Sequence, residues 1–177
     1  MTITVANDDF GVMTAPTTLR MQRLLPGPVE RVWAYLTASE LRRKWFAAGD
    51  MAMAVDTPVE LVWRNDELTV PPGQRPEGSL PESRMQRRIT EFDPPHRLAI
   101  AWGDTGSVSF ELETRGDDVL LTLVHTGVPD RARLLAFGPG WHTHLDILVA
   151  LLNGTRLEPF WDAERRLRGE YEARTPA

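Results

Sequence analysis

The sequence predicts an α+β fold in which an antiparallel sheet holds one long C-terminal helix. Three observations carry that expectation. Residues 137–154 place apolar side chains at helical spacing, ending in Asn153-Gly154. Between residues 18 and 125, several runs alternate apolar and polar residues with period two, the mark of half-buried strands. The chain opens as a strand, two short helices and then strands again, which is not the alternation of a βαβ fold.

Residues 1–16 are polar, contain Gly11 and Pro16, and are expected to fray or add a short edge strand. From Thr18 to Leu25, the inward positions are Leu19, Met21, Arg23 and Leu25, which reads as a strand. Pro26-Gly27-Pro28 ends it and opens a helix with proline in the first position. Val29, Val32, Trp33 and Leu36 recur there at helical spacing. Thr37-Ala38-Ser39-Glu40 has capping-box form for a second, short helix holding Leu41 and Trp45. Val59, Leu61 and Trp63 share one face of the next strand. Residues 65–83 bring four prolines and two glycines, and are expected to form a mobile loop, a lid near one end of a cavity.

Residues 85–125 read as a four-strand meander. Residues 85–92 form its first strand, closed by Asp93-Pro94-Pro95. Leu98, Ile100 and Trp102 alternate, as do Val108, Phe110 and Leu112, with a turn between them at 103–106. Gly116-Asp117 makes a hairpin turn, and Val119, Leu121, Leu123 and His125 complete the meander. Pro129-Asp130 caps a short helical piece at 131–137. Gly138-Pro139-Gly140 is expected to break that piece, so that Pro139 opens the long helix. Along it, Trp141, Leu145, Leu148 and Leu152 fall on one line, with His144 and Leu151 beside it. His142, Thr143, Asp146 and Asn153 fall on a far, polar side. Residues 159–174 read as a charged helix whose Phe160, Leu167 and Tyr171 pack on the body.

With 177 residues, 42% hydrophobic and 25% charged, one globular domain is expected. No cysteine is present, which excludes disulfides, thiolate metal sites and a thiol nucleophile. The longest apolar run, residues 147–152, is far too short to span a membrane, so no membrane insertion is expected. No signal peptide is visible near the start, where Asp8 and Asp9 replace a basic-then-apolar pattern, and a cytoplasmic location follows as the default. A net charge of −5 without a long basic stretch argues against a nucleic-acid partner.

Taken together, the run from Leu25 to Trp33 (Leu-Pro-Gly-Pro-Val-Glu-Arg-Val-Trp), Leu41 to Trp45, Asp93-Pro94-Pro95 with Leu98 and Trp102, and Gly140-Trp141 with His144-Leu145 and Leu148 resemble one superfamily. It is the START-like or SRPBCC superfamily, in particular the bacterial branch homologous to the activator of heat-shock protein 90 ATPase. The resemblance runs from about Leu19 to Gly154. It implies a helix-grip fold, a curved antiparallel sheet wrapped around a long C-terminal helix with an apolar cavity between them. The domain would then span 17–154, preceded by an N-terminal extension at 1–16 and followed by a helical tail at 155–177. Where relatives show a Gly-Gly-x-Phe turn, this chain has Asp56-Thr57-Pro58-Val59. The branch carries no shared catalytic residues; members of the wider superfamily bind lipids, sterols, hormones or polyketides, and a few act as cyclases.

His142-Thr143-His144 invites a metal reading, but residues i and i+2 of a helix point about 200° apart, so one ion cannot reach both imidazoles. No metal and no other cofactor are expected. His125 follows Val119, Leu121 and Leu123 onto the inner face of the sheet, where a histidine either bonds a neighbour in the core or orients a ligand beside His144. Trp33, Trp63, Trp102 and Trp141 all sit at inward-facing positions, where they either fill the core or line a cavity. The residues expected to meet a ligand are Trp63, Trp102, Phe110, Leu123, His125, Trp141, His144, Leu145 and Leu148. The function expected is binding of a small hydrophobic molecule without catalysis. Two alternatives stay open: a polyketide cyclase or hydrolase using His125 or His144, with Arg87 and Glu91 as further inward candidates, and a co-chaperone-like protein-binding module. Homodimer formation is left open as well.

Overall fold

The inward-facing alternation of the sequence becomes one seven-stranded antiparallel sheet. In this computed structural model, which describes residues 4–177, the strands are β1 (Val12–Ala15), β2 (Thr18–Pro26), β3 (Pro58–Trp63), β4 (Ser83–Asp93), β5 (Arg97–Trp102), β6 (Gly106–Arg115) and β7 (Asp118–Thr126). Their order across the sheet is β1-β2-β7-β6-β5-β4-β3. The first three residues of the N-terminal extension lie outside the described residues. The expected meander is β4 to β7, and β2 closes against β7 with Leu19 opposite His125 and Met21 opposite Leu123. Four helices complete the chain: α1 (Val29–Thr37), α2 (Ser39–Arg42), α3 (Arg131–Asn153) and α4 (Phe160–Arg174). The sheet curves around α3, which is the helix-grip arrangement.

α3 runs unbroken through Gly138-Pro139-Gly140, contrary to the expected break. A proline inside a helix removes one N–H and leaves the carbonyl four residues back without its partner. Here that carbonyl belongs to Leu135, and Arg168 of α4 donates to it through Nη1 at 3.0 Å. Asp130 caps the start by accepting from the Arg133 N–H at 2.8 Å, and Gly154 ends the helix in the left-handed region at φ 66°. At 23 residues the helix is about 34 Å long. Its far side is not a polar, solvated face: His142 and Thr143 are buried beneath α4 and the N-terminal segment. Gly138 lets α4 come close, because a Cβ there would lie 3.1 Å from the Tyr171 ring.

Smaller differences follow local geometry. Pro28 caps α1 from outside rather than occupying its first turn. No capping box forms; Thr37 ends α1 and turns its hydroxyl back to the Trp33 carbonyl at 2.9 Å. The departure at Asp56-Thr57-Pro58-Val59 is accommodated by Asp56 at φ 62°, after which β3 pairs with β4 in unbroken register. An irregularity between Ile89 and Glu91 in the β4–β5 pairing shifts the alternation, leaving Glu91 exposed and ion-paired with Arg97.

The loop between β3 and β4 is tied down rather than free. Phe160 N–H donates to the Thr69 hydroxyl at 2.9 Å, Trp161 N–H to the Pro72 carbonyl at 2.9 Å, and the Trp161 indole to Asp66 at 2.7 Å. Arg75 pairs with Asp66 at 2.5 Å, and Arg165 donates to the Gln74 carbonyl. Its sparse apolar content predicted mobility because the partner, α4, is distant in sequence. Among the described residues no helix is long and apolar enough to cross a membrane.

Candidate functional site

Three segments converge on one end of α3. The first follows α2, where Trp45 is fully buried and Phe46 nearly so. Arg42 fixes this turn: its buried guanidinium donates to the carbonyls of Thr37 and Ala47 at 3.0 Å and of Gly49 at 2.5 Å. Burial pulls the Arg42 pKa down to about 10, with Asp50 opposing, so it stays charged near neutrality. The second segment is the sheet, where Trp63 at the end of β3 meets Trp102 at the end of β5 edge to face, with centroids 6.0 Å apart. The third is the α3 stripe of Phe137, Gly140, Trp141 and His144, positions that share a face at helical spacing.

These residues, with Phe46 and Ala136, line a pocket of about 140 Å³. It is open to solvent on one side, and its volume is about that needed for one aromatic ring. Its walls are rings in contact. Trp141 lies 4.9 Å from Phe46 and 5.8 Å from Trp102, and Phe46 meets Trp63 edge to face at 5.4 Å.

One histidine lies on the wall, His144, and a second, His125, lies behind it. His144 Nδ1 lies 2.7 Å from the Trp45 carbonyl, which can only accept, so Nδ1 carries the proton and Nε2 is left as an acceptor. The Trp141 indole N–H donates to His125 Nδ1 at 3.0 Å, so that nitrogen carries no proton. Burial holds both imidazoles at a pKa of about 4, and both are neutral at pH 7.

Arg87 adds a charge beside the aromatic walls. It faces the concave side of the sheet, two residues before the buried Ile89, with its guanidinium carbon 5.8 Å from the Trp102 ring centroid. Nη1 donates to the Gln86 carbonyl at 2.9 Å, whereas Nε is buried with no partner among the described residues. A second cleft of about 300 Å³ adjoins the pocket, sharing Trp102 and Phe137 and lined further by the 103–106 turn and Arg133.

Of the residues expected to meet a ligand, Trp63, Trp102, Trp141 and His144 come together at the pocket. Phe110, Leu123, Leu145 and Leu148 do not reach it; they pack in the core one layer behind. His125 is also behind the wall, holding Trp141 and lying 4.5 Å from the Phe137 ring. Trp33 sits elsewhere, partly exposed against Phe92. Phe46 and Phe137 were not expected at the site. Phe137 lies four residues before Trp141, a signal hidden by the assumed break at Pro139; Phe46 lies in an irregular turn with no period to reveal it.

His142 and His144 face opposite sides of α3, as their spacing requires. On the far side the Tyr171 hydroxyl accepts from the Gly11 N–H at 2.9 Å and lies within hydrogen-bond distance of His142 Nδ1, at 3.1 Å. His142 Nε2 lies 3.6 Å from Asp146, which pairs with fully buried Arg23 at 3.3 Å. Among the described residues, no group of three or more His, Cys, Asp or Glu is arranged to hold a metal ion.

The family described as "Activator of Hsp90 ATPase homolog 1-like protein" matches residues 26–153. No curated protein matches the chain. Among solved structures, a protein encoded by gene BPP1335 of Bordetella parapertussis is 30% identical, with 99% of this chain and 97% of that one covered and a TM-score of 0.75. CalU16 from Micromonospora echinospora is 21% identical over 88% of this chain and 86% of its own, at a TM-score of 0.64. DynU16, from the dynemicin biosynthetic locus, is 18% identical over 78% of this chain and 48% of its own, at a TM-score of 0.60. The last two share the fold.

Proposed function

Because the chain belongs to the Activator of Hsp90 ATPase homolog 1-like family of the START-like superfamily, we propose that it binds a small aromatic or apolar molecule in the pocket between sheet and long helix, without transforming it. One observation carries this reading: five aromatic rings, those of Phe46, Trp63, Trp102, Phe137 and Trp141, line an open cleft of about 140 Å³. Large rings normally close on one another at native packing density, and rings that line a gap forgo contacts that a ligand restores. Pockets for small molecules have this make-up, an apolar wall with few fixed polar groups. His144 Nε2 is such a group, an acceptor for a ligand hydroxyl or N–H.

The non-catalytic part of the reading rests on the same residues. Among the described residues His144 is the one titratable side chain on the wall, and burial lowers its pKa to about 4, which makes it a weak base near neutrality. His125 is committed to Trp141. The tie of this pocket to small-molecule chemistry is also supported by the fold shared with CalU16 and DynU16, the second from a biosynthetic locus.

The test is a toluene titration of isotope-labelled protein followed by NMR, with native mass spectrometry of freshly purified protein for any retained molecule. The indole N–H signals of Trp63, Trp102 and Trp141 are expected to shift while that of Trp161 does not. Uniformly unshifted indoles at saturating toluene, with no co-purified mass, would exclude the pocket as a binding site.

A further inference from the structure

We infer that the molecule bound at this pocket carries a zwitterionic arm, as an aromatic amino acid does: its ring lies among the tryptophans, and its carboxylate and ammonium lie against Arg133 and Asp104 in the adjoining cleft. The inference rests on the ligand-binding reading above and adds the ligand's polar end and the residues that select it. The two spaces form one groove. Trp102 and Phe137 line both the aromatic pocket and the cleft of about 300 Å³ beside it. Arg133 stands one turn before Phe137 on the same stripe of α3, about 6 Å along the axis at 1.5 Å per residue. That separation suits a short arm on a ring seated against Phe137.

The cleft differs from the pocket in what lines it. Part of its wall is bare backbone: a Cβ at Gly106 would lie 2.5 Å from the Thr126 carbonyl oxygen, and one at Gly127 would lie 2.9 Å from the Gly106 Cα. The β5–β6 turn therefore lies directly against the chain leading into α3, and neither position can carry a side chain into the cleft. Among the side chains that do line it are two opposite charges, Asp104 on the turn and Arg133 in the first turn of α3. Both residues are exposed, so a solute can reach either charge. Opposite charges on this surface join elsewhere: Arg115 with Glu113, Arg165 with Asp162, Arg166 with Glu170. Asp104 and Arg133 share a cleft without pairing, and among the described residues neither carries another ion pair. A lone anion would gain Arg133 and meet the Asp104 carboxylate, and a lone cation would face the reverse. A ligand bearing both charges complements both side chains. The pocket volume limits the part of the ligand between the rings to about one ring.

The test compares four one-ring probes by NMR titration at pH 7: toluene, 3-phenylpropionate, 2-phenylethylamine and L-phenylalanine. Wild type is expected to bind L-phenylalanine at least about threefold more tightly than either singly charged probe, the scale of one partly exposed ion pair. In Arg133→Gln the preference over 2-phenylethylamine should vanish, and in Asp104→Asn the preference over 3-phenylpropionate should vanish. Toluene affinity should stay within about twofold of wild type in both variants. Thermal unfolding of each variant establishes that the fold is intact. L-Phenylalanine binding no more tightly than a singly charged probe in wild type would overturn the zwitterionic arm and leave the ligand-binding reading standing. A preference that persists in both variants would place the arm outside this cleft and overturn the roles of Arg133 and Asp104. Binding of none of the four probes would defeat the ligand-binding reading and this inference with it.

Discussion

Single side chains decide how much of this end of the molecule is wall and how much is filler. Trp141 touches Phe46, Trp102 and Phe110, and its indole N–H meets His125. Trp141→Phe should cost about 1–3 kcal/mol in urea unfolding, because the buried His125 nitrogen loses its donor. Trp141→Ala should in addition weaken toluene binding by about tenfold, whereas Trp33→Ala, beside Phe92, should leave binding unchanged. Equal toluene affinity in wild type and Trp141→Ala would mean that this ring is not a wall. Gly138→Ala tests the opposite case, a place where space is too tight. Helix propensity favours alanine by about 1 kcal/mol. The added methyl meets a Tyr171 ring that cannot retreat, since its hydroxyl is held by Gly11 and His142, so the net effect should be destabilising. The sequence showed which face Trp63, Trp102, Trp141 and His144 occupy, because periodicity reports direction. It did not report depth, so Phe110, Leu123, His125, Leu145 and Leu148, on the same faces, could not be told from the lining.

At the scale of elements, the strands and their order were legible because each carries its own alternation, and the register of β2 against β7 follows from matching buried faces. α3 was misread as two pieces because the rule about proline is local and its remedy is not. Arg168, 33 residues beyond Leu135, supplies the bond that Pro139 cannot. That arrangement predicts a coupling. Arg168→Met should destabilise by about 1–3 kcal/mol, since it leaves the Leu135 carbonyl unpaired. In a Pro139→Ala background the restored N–H can serve that carbonyl, so the same change should cost about 1 kcal/mol less. Additive costs in the double-mutant cycle would show that Arg168 acts only through its pair with Glu164. The β3–β4 loop makes the same point about distant partners. Its bonds to α4 predict that proteinase K spares residues 65–76 in the native protein and cuts there only once α4 is detached, for instance in a chain truncated before Phe160.

For the whole molecule the buried histidines make stability a function of pH, and the sign can be worked out. His125, His142 and His144 have folded pKa values of about 4, 3 and 4, all below the ordinary 6.5, chiefly through burial. For His142, the charges of Arg23, Arg166 and Arg174 add to that effect. Below pH 6.5 the unfolded chain therefore binds protons that the folded one refuses, and stability falls as pH falls toward 4. At pH 5 the loss is roughly 2 kcal/mol for each histidine. Asp146 works the other way. Burial pushes it up to about 6 from 3.8, against the pull of Arg23, so its folded form takes up a proton first and its contribution is lost as pH rises through 6. Its side chain is 39% exposed, so water screens it and its offset is smaller than the three histidines together. Urea midpoints should thus be flat above pH 7 and decline steeply between 6.5 and 4. Asp146→Asn separates the two contributions. At pH 7 the ionised carboxyl is the form the fold disfavours, even with Arg23 beside it, so the neutral amide should be as stable as wild type or more so. At pH 5 the wild-type carboxyl is itself largely protonated, so the difference between variant and wild type should shrink. A difference that is the same at both values would mean that Asp146 stays ionised across this range and that the histidines alone set the acid limb.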